Sequence, residues 1–191
     1  MRMEWRVFRI LTLSLALLLG AAGLAEALPD ASAEQAPGSV RFSEADAPYA
    51  GRWVAFDDGF RLYLPCEWQS MEITEAQAAA GIFYRAGADG AEGEASMGLA
   101  VTYTRVESMT TLEDLARDFA AVGFTDIEML DVNGMPAVSF LRPDENYRGL
   151  AFYHPLYPSY VLALFVTPIG DDGGTAALAG AAVLRSLTPE A

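Results

Sequence analysis

The chain has no lysine, a single histidine (His154) and a single cysteine (Cys66), and each shortage removes a class of function. All 12 basic residues are arginines, set against 26 carboxylates, so the formal net charge is −14. Binding to nucleic acid or to an anionic membrane surface draws on clustered positive charge that releases counterions, and no run in this chain provides it. One cysteine forbids an intrachain disulfide, and one histidine with one cysteine cannot complete a tetrahedral zinc site. Ser–His–Asp or Cys–His catalysis would rest entirely on His154. No glycine-rich loop of the phosphate-cradling or dinucleotide type is present. The acidic excess suits a soluble, monomeric, exported protein.

What is there begins with a leader. Arg2, Arg6 and Arg9 precede an uncharged, largely apolar run from Ile10 to Leu19, and Ala25-Glu26-Ala27 offers small side chains to a signal peptidase. This order predicts a secretory signal over residues 1–27, cleaved after Ala27. The apolar stretch falls short of the roughly 20 residues that span a bilayer, so membrane contact is expected only if the leader is retained. The expected location is secreted, or on the outer face of the cytoplasmic membrane. Residues 28–50, rich in Ala, Ser, Pro and acids without an apolar period, read as a flexible acidic linker, and 51–191 as one domain.

Within that domain the hydrophobic period changes along the chain. Arg52–Phe56 and Phe60–Leu64 read as strands joined at Asp57-Asp58-Gly59, with Phe60, Leu62 and Leu64 inward and Arg61 and Tyr63 outward. Ile82–Ala86 and Met97–Val106 form a second pair around an acidic loop. Leu112, Leu115, Phe119 and Val122 then recur at helical spacing, with Thr111 as N-cap, Asp114 three residues on and Gly123 as the stop. Thr125–Val132 and Ala137–Leu141 flank Asn133-Gly134, a strong hairpin signal. Tyr147–Tyr153 and Tyr160–Val166 follow, the last apolar on both faces and therefore a central strand covered on both sides. A small-residue helix over Thr175–Leu187 closes the domain. Strands, helix, strands, helix imply an α+β fold, an antiparallel sheet flanked by helices in a three-layer α/β/α sandwich.

Gly59-Phe60-Arg61-Leu62-Tyr63-Leu64-Pro65 with Trp68, the helix Thr111–Val122, the turn Asn133-Gly134-Met135-Pro136-Ala137 and the ending Leu184-Arg185-Ser186-Leu187-Thr188-Pro189 together resemble the PsbP/Mog-type superfamily, which includes DcrB-like bacterial envelope proteins. The resemblance implies a twisted antiparallel sheet between helices. Its members act variously as photosystem subunits, GTPase regulators and envelope proteins, so it implies no catalytic residues and no cofactor.

Candidate chemistry is sparse. Cys66, between Pro65 and Trp68 at a strand end, is expected to be a small buried thiol rather than the nucleophile of a Cys66–His154 dyad. Asp89, Glu92 and Glu94 in one loop and Asp171 and Asp172 in another are candidates for weak calcium binding, but neither loop has the ligand spacing of an EF-hand, and solvated charge is the preferred reading. No catalytic, cofactor or metal residue is assigned. The segment Tyr153-His154-Pro155-Leu156-Tyr157-Pro158-Ser159-Tyr160 is the most distinctive: stiff and aromatic, it suits a protein contact, with Tyr153, His154, Tyr157 and Tyr160 as candidate partner-binding residues. The expectation is a non-catalytic binding or accessory protein with an unknown protein or envelope partner. The alternative is a small extracellular hydrolase using acidic residues or His154.

Overall fold

The computed structural model describes residues 38–88, 97–106, 111–168 and 174–190. The leader 1–27, residues 28–37 of the linker, and Asp89, Glu92, Glu94, Asp171 and Asp172 lie outside the described residues. Among the described residues no helix is long and apolar enough to cross a membrane.

The fold is α+β. The elements run β1 (Gly38–Val40), β2 (Gly51–Phe56), β3 (Phe60–Pro65), β4 (Gln69–Ser70), α1 (Glu75–Ala79), β5 (Ile82–Gly87), β6 (Gly98–Arg105), α2 (Leu112–Ala121), β7 (Thr125–Val132), β8 (Met135–Arg142), β9 (Tyr147–Tyr153), β10 (Tyr160–Thr167), α3 (Thr175–Arg185) and β11 (Thr188–Pro189). They build an eight-stranded sheet in the order β1-β7-β8-β9-β10-β6-β5-β4 and a three-stranded sheet in the order β11-β3-β2. The second sheet departs from the single sheet expected from the chain. So does the pairing of β1, which lies parallel to β7 while the other ladders are antiparallel.

The doubly apolar strand β10 lies between β9 and β6 and pairs with β6 over its whole length. Its alternate residues enter two different cores. Leu162, Leu164 and Val166 join Phe60, Leu62, Leu64, Trp68, Val183 and Leu184, so this core is shared with β3 and α3. Val161 and Ala163 join Val138, Phe140 and Leu115, beneath α2. Where β9 meets β10 the backbones and rings leave no room for a side chain: a Cβ on Gly149 would lie 2.3 Å from the Leu164 carbonyl oxygen and 2.4 Å from the Phe140 ring.

Local chemistry explains the helix boundaries. Thr111 Oγ1 accepts the Asp114 N–H at 3.2 Å, and Asp114 Oδ2 accepts the Thr111 N–H at 3.2 Å. This reciprocal cap satisfies two donors the helix would otherwise leave open, and such a cap stabilises a helix by about 1 kcal/mol. The same device, Thr74 with Gln77, starts the five-residue α1. In α3 the small residues Ala177, Ala179, Gly180 and Ala182 are buried, and the backbone of Gly180 approaches Val166 closely enough that a Cβ would stand 3.2 Å from it.

The linker expectation fails over residues 38–50. Gly38–Val40 pair with Leu130–Val132, a 3-10 turn covers Glu44–Asp46, and Phe42 and Tyr49 pack on Tyr63 with ring centroids 5.7 and 5.9 Å away. This strap also corrects the reading of β3. Tyr63, expected to face outward, is buried because Phe42, Tyr49 and Trp53 close over it. Composition could not reveal the strap, since two aromatic rings in an otherwise polar stretch supply its anchors.

Candidate partner-binding site

The connection from β9 to β10 leaves the sheet at His154, whose N–H donates to the Tyr160 carbonyl at 2.9 Å, and the loop closes with Tyr160 N–H on the Tyr157 carbonyl, also 2.9 Å. Inside that loop the His154 ring is buried, with 5% of its surface exposed. Its Nδ1 accepts two backbone N–H groups, from Leu156 at 3.1 Å and Tyr157 at 3.3 Å. A nitrogen that accepts carries no proton, so these donors assign the proton to Nε2, which donates to Asp58 Oδ1 at 3.1 Å. The histidine thus ties the loop to the β2–β3 turn. Pro155 and Leu156 rest beside Gly59 of that turn, and Glu190, following β11, donates its N–H to the Gly59 carbonyl at 3.0 Å.

The consequence is a rigid display. With the N–H groups of His154, Leu156, Tyr157 and Tyr160 satisfied from within, the loop holds Leu156 56% and Tyr157 60% exposed, two large apolar side chains side by side in water. The Tyr157 ring meets the His154 ring edge-on at 4.9 Å. Next to them an apolar depression of about 270 Å³ is lined by Gly134, Met135, Pro136, Tyr153, Pro155 and Pro189. The β8–β9 register continues past its last pair to place Pro136 beside Tyr153.

The four residues singled out in the sequence therefore do not share one surface. Tyr157 is exposed and His154 is the buried clamp beneath it. Tyr153 is half-buried among the residues under α2, and its hydroxyl donates to the Thr111 carbonyl at 3.3 Å. Tyr160 is half-buried and turns to Tyr103, centroid to centroid 6.0 Å. Strand alternation is the reason: Tyr153 shares the face of Val161, Tyr160 that of Leu162. Sequence reasoning passed over Leu156, whose neighbour Tyr157 drew the attention, and over Pro136 and Pro189, which strand pairing alone brings here.

The geometry also bears on catalysis. A histidine acting as general base needs a ring nitrogen within reach of the proton it removes, and both nitrogens of His154 are committed. Cys66 is exposed, not buried as expected. Pro65 and Trp68 are buried at the end of β3, and the two residues between them, Cys66 and Glu67, are turned out. Cys66 lies at the opposite end of β3 from the turn that holds His154, about 20 Å away at the usual strand rise. Among the described residues no three His, Cys, Asp or Glu side chains gather to hold a metal ion. Burial raises the Glu145 carboxyl above its usual range against the lowering effect of Arg142, whose Nη2 lies 3.4 Å away. That pair sits at the end of β8, where Arg142 also donates to the Val122 carbonyl and stacks on Phe124, a structural setting.

No family model matches the chain, and no curated protein matches it. Among solved structures, a Bacteroides thetaiotaomicron protein aligns with a TM-score of 0.43 and 12% identity, covering 74% of this chain and 49% of that one. The chain spans about half the length of that protein.

Proposed function

We propose that this chain is a non-catalytic binding or accessory protein, exported to the cell envelope or beyond, that contacts a protein partner through the Leu156–Tyr157 tip. The observation that carries the reading is the closed hydrogen-bond set of His154, which spends a buried imidazole on holding two apolar side chains in solvent. Exposed aromatic anchors on a pre-organised loop are the usual centres of protein contacts, because little side-chain and loop freedom is left to lose on binding. The neighbouring depression offers a partner side chain somewhere to insert. Export is supported by the arginine-led apolar leader and its Ala25-Glu26-Ala27 end.

The finer architecture belongs to the same proposal. A PsbP-type α/β/α sandwich is supported by α2 packing on β7 and β8 and α3 packing on β10. Any such description also has to accommodate the three-stranded sheet beside α3.

The test is site-directed photo-crosslinking in the native host. A benzoylphenylalanine placed at Tyr157 is expected to capture a discrete protein adduct, whereas the same group at exposed Glu113 on α2 is not. Equal yields from both positions, or none from position 157, overturn the assignment.

A further inference from the structure

The Leu156–Tyr157 tip has an acidic surround, and the charge at the rim of a contact decides which partner it admits. Leu156 packs beside Gly59 of the β2–β3 turn, where a Cβ would stand 3.3 Å from the Leu156 Cγ. Asp57 and Asp58 precede Gly59 in the chain, and Glu190 is fastened to the Gly59 carbonyl through its N–H at 3.0 Å. Three acidic residues therefore flank the point on which the tip rests. Asp57 and Glu190 are exposed, and Glu190 directly follows Pro189, which lines the apolar depression.

No cation after the leader balances them. Apart from Arg2, Arg6 and Arg9, every arginine lies among the described residues, and the chain has no lysine. The arginine–carboxylate ion pairs engage Asp114, Asp131, Asp144 and Glu145, none of them in the β2–β3 turn or at Glu190. Asp58 Oδ1 is held by the neutral His154 ring. Arg61, two residues past Gly59, is drawn over the Trp53 ring, 4.6 Å from its centroid. Arg105 is exposed on β6, in register with Tyr160, and forms no ion pair with any of these acids.

This arrangement selects among occupants. A second copy of the chain would bring the same carboxylates face to face, and like charges across an interface cost affinity. An anionic lipid surface or a nucleic acid meets the same repulsion. A segment carrying lysine or arginine beside an apolar side chain meets opposite charge at the rim and a pre-formed apolar centre. The Tyr157 ring adds a face that attracts cations.

We infer that the tip docks a basic protein segment, whose apolar side chain enters the depression beside Pro155 while flanking Lys or Arg side chains meet Asp57 and Glu190. The inference rests on the tip being a contact surface and adds the charge of what it contacts. Rim charges of this kind speed encounter and are weakened by salt.

The full chain is expressed in its native host with benzoylphenylalanine at position 157, and the lysate is irradiated at about 50 and about 500 mM sodium chloride. The adduct yield is expected to fall roughly fivefold when Asp57→Asn and Glu190→Gln are combined, and by a similar factor at the higher salt. Asp58 is left in place because it holds His154. Glu72→Gln with Glu128→Gln removes the same charge from exposed positions outside the tip and is expected to leave the yield unchanged. Mass spectrometry of the adduct is expected to place the crosslink within a few residues of Lys or Arg. An adduct that ignores both the double variant and salt overturns the basic partner while the contact itself stands. A control pair that lowers the yield equally also overturns it, since bulk charge would then be responsible. So does an adduct between two copies of this chain, or one with an acidic segment. The salt arm needs no substitution and decides the matter should the double variant not fold. No adduct at position 157 removes the contact surface, and this inference with it.

Discussion

The β7–β8 and β9–β10 connections each join neighbouring antiparallel strands, and each depends on one polar side chain, yet they do opposite things. In the first, Asn133 and Gly134 adopt positive φ, 52° and 91°, the geometry a two-residue hairpin turn requires. The Asn133 side chain then faces inward. Its Oδ1 accepts the Phe42 N–H and its Nδ2 donates to the Arg185 and Leu187 carbonyls, all at 2.8 Å, while its own N–H donates to the Val40 carbonyl. One residue thus fastens the strap, the end of α3 and the hairpin together. In the second, His154 is just as fully bonded: it closes its own loop and ties it to Asp58 of the β2–β3 turn, but the loop's apolar side chains stay outside. A satisfied polar side chain stabilises and joins distant segments in both places; only at His154 does it also hold large apolar side chains in solvent. Conserving a structure and presenting a surface are separable uses of the same hydrogen-bond chemistry.

The sharpest way to break the comparison is Asn133→Ala. It removes three side-chain hydrogen bonds and strands two carbonyls, so a loss of about 3 kcal/mol is expected in denaturant unfolding. Asn133→Gly, which tolerates the positive φ, isolates the side-chain share of that loss. A loss under about 1 kcal/mol for both would show that the strap and α3 are held by packing alone.

His154→Ala is expected to cost less, about 2 kcal/mol, since it releases two loop N–H groups and the Asp58 carboxylate near the surface. Its larger effect should be kinetic and local: the Leu156 and Tyr157 amides lose protection in hydrogen exchange while strand amides of β7 and β8 keep theirs. Unchanged protection at both residues would contradict the clamp.

Tyr157→Ala and Leu156→Ala should change stability by no more than about 0.5 kcal/mol, because both side chains already stand in water. Thermal unfolding measures this directly. A marked destabilisation would move these residues from display to support.

The smallest effect concerns pH. Asp131 Oδ1 accepts from Arg41 at 2.6 Å and from the Gly134 N–H at 2.9 Å, and these donors, Arg41 first, hold its carboxyl below the usual carboxylate range. A depressed acid adds stability above its unfolded-state value, and that share disappears as pH falls through the lower folded value. The stability difference between the parent and Asp131→Asn should therefore be present near neutrality, begin to shrink near roughly pH 4 and vanish only below the lower folded value. Because Asp131 is on the surface, the difference is small, and a difference that grows on acidification would reverse the assignment.

How legible was all this? The capping pair Thr111 and Asp114, the Asn133-Gly134 turn and the doubly apolar β10 lie where their local patterns predict. The capping residues Thr74 and Gln77 were an equally readable signal for α1, which went unnoticed because five residues carry no hydrophobic period. β4, at Gln69–Ser70, and β11, at Thr188–Pro189, had no signal at all, since two-residue strands exist only by virtue of the neighbour they pair with. The candidate site divided the same way: Tyr157 could be guessed from composition, whereas the burial of His154 and the separation of Tyr153 from Tyr160 could not.

Charge balance, the near-absence of reactive side chains, the alternation within each strand and the ends of α2 follow from residues within four positions of one another, and a linear reading reaches that far. The second sheet, the strap over Tyr63, the Asp58–His154 tie and the reach of Asn133 to the end of α3 each join residues tens of positions apart. Those contacts are selected by the burial of apolar area over the whole body, which no local window contains.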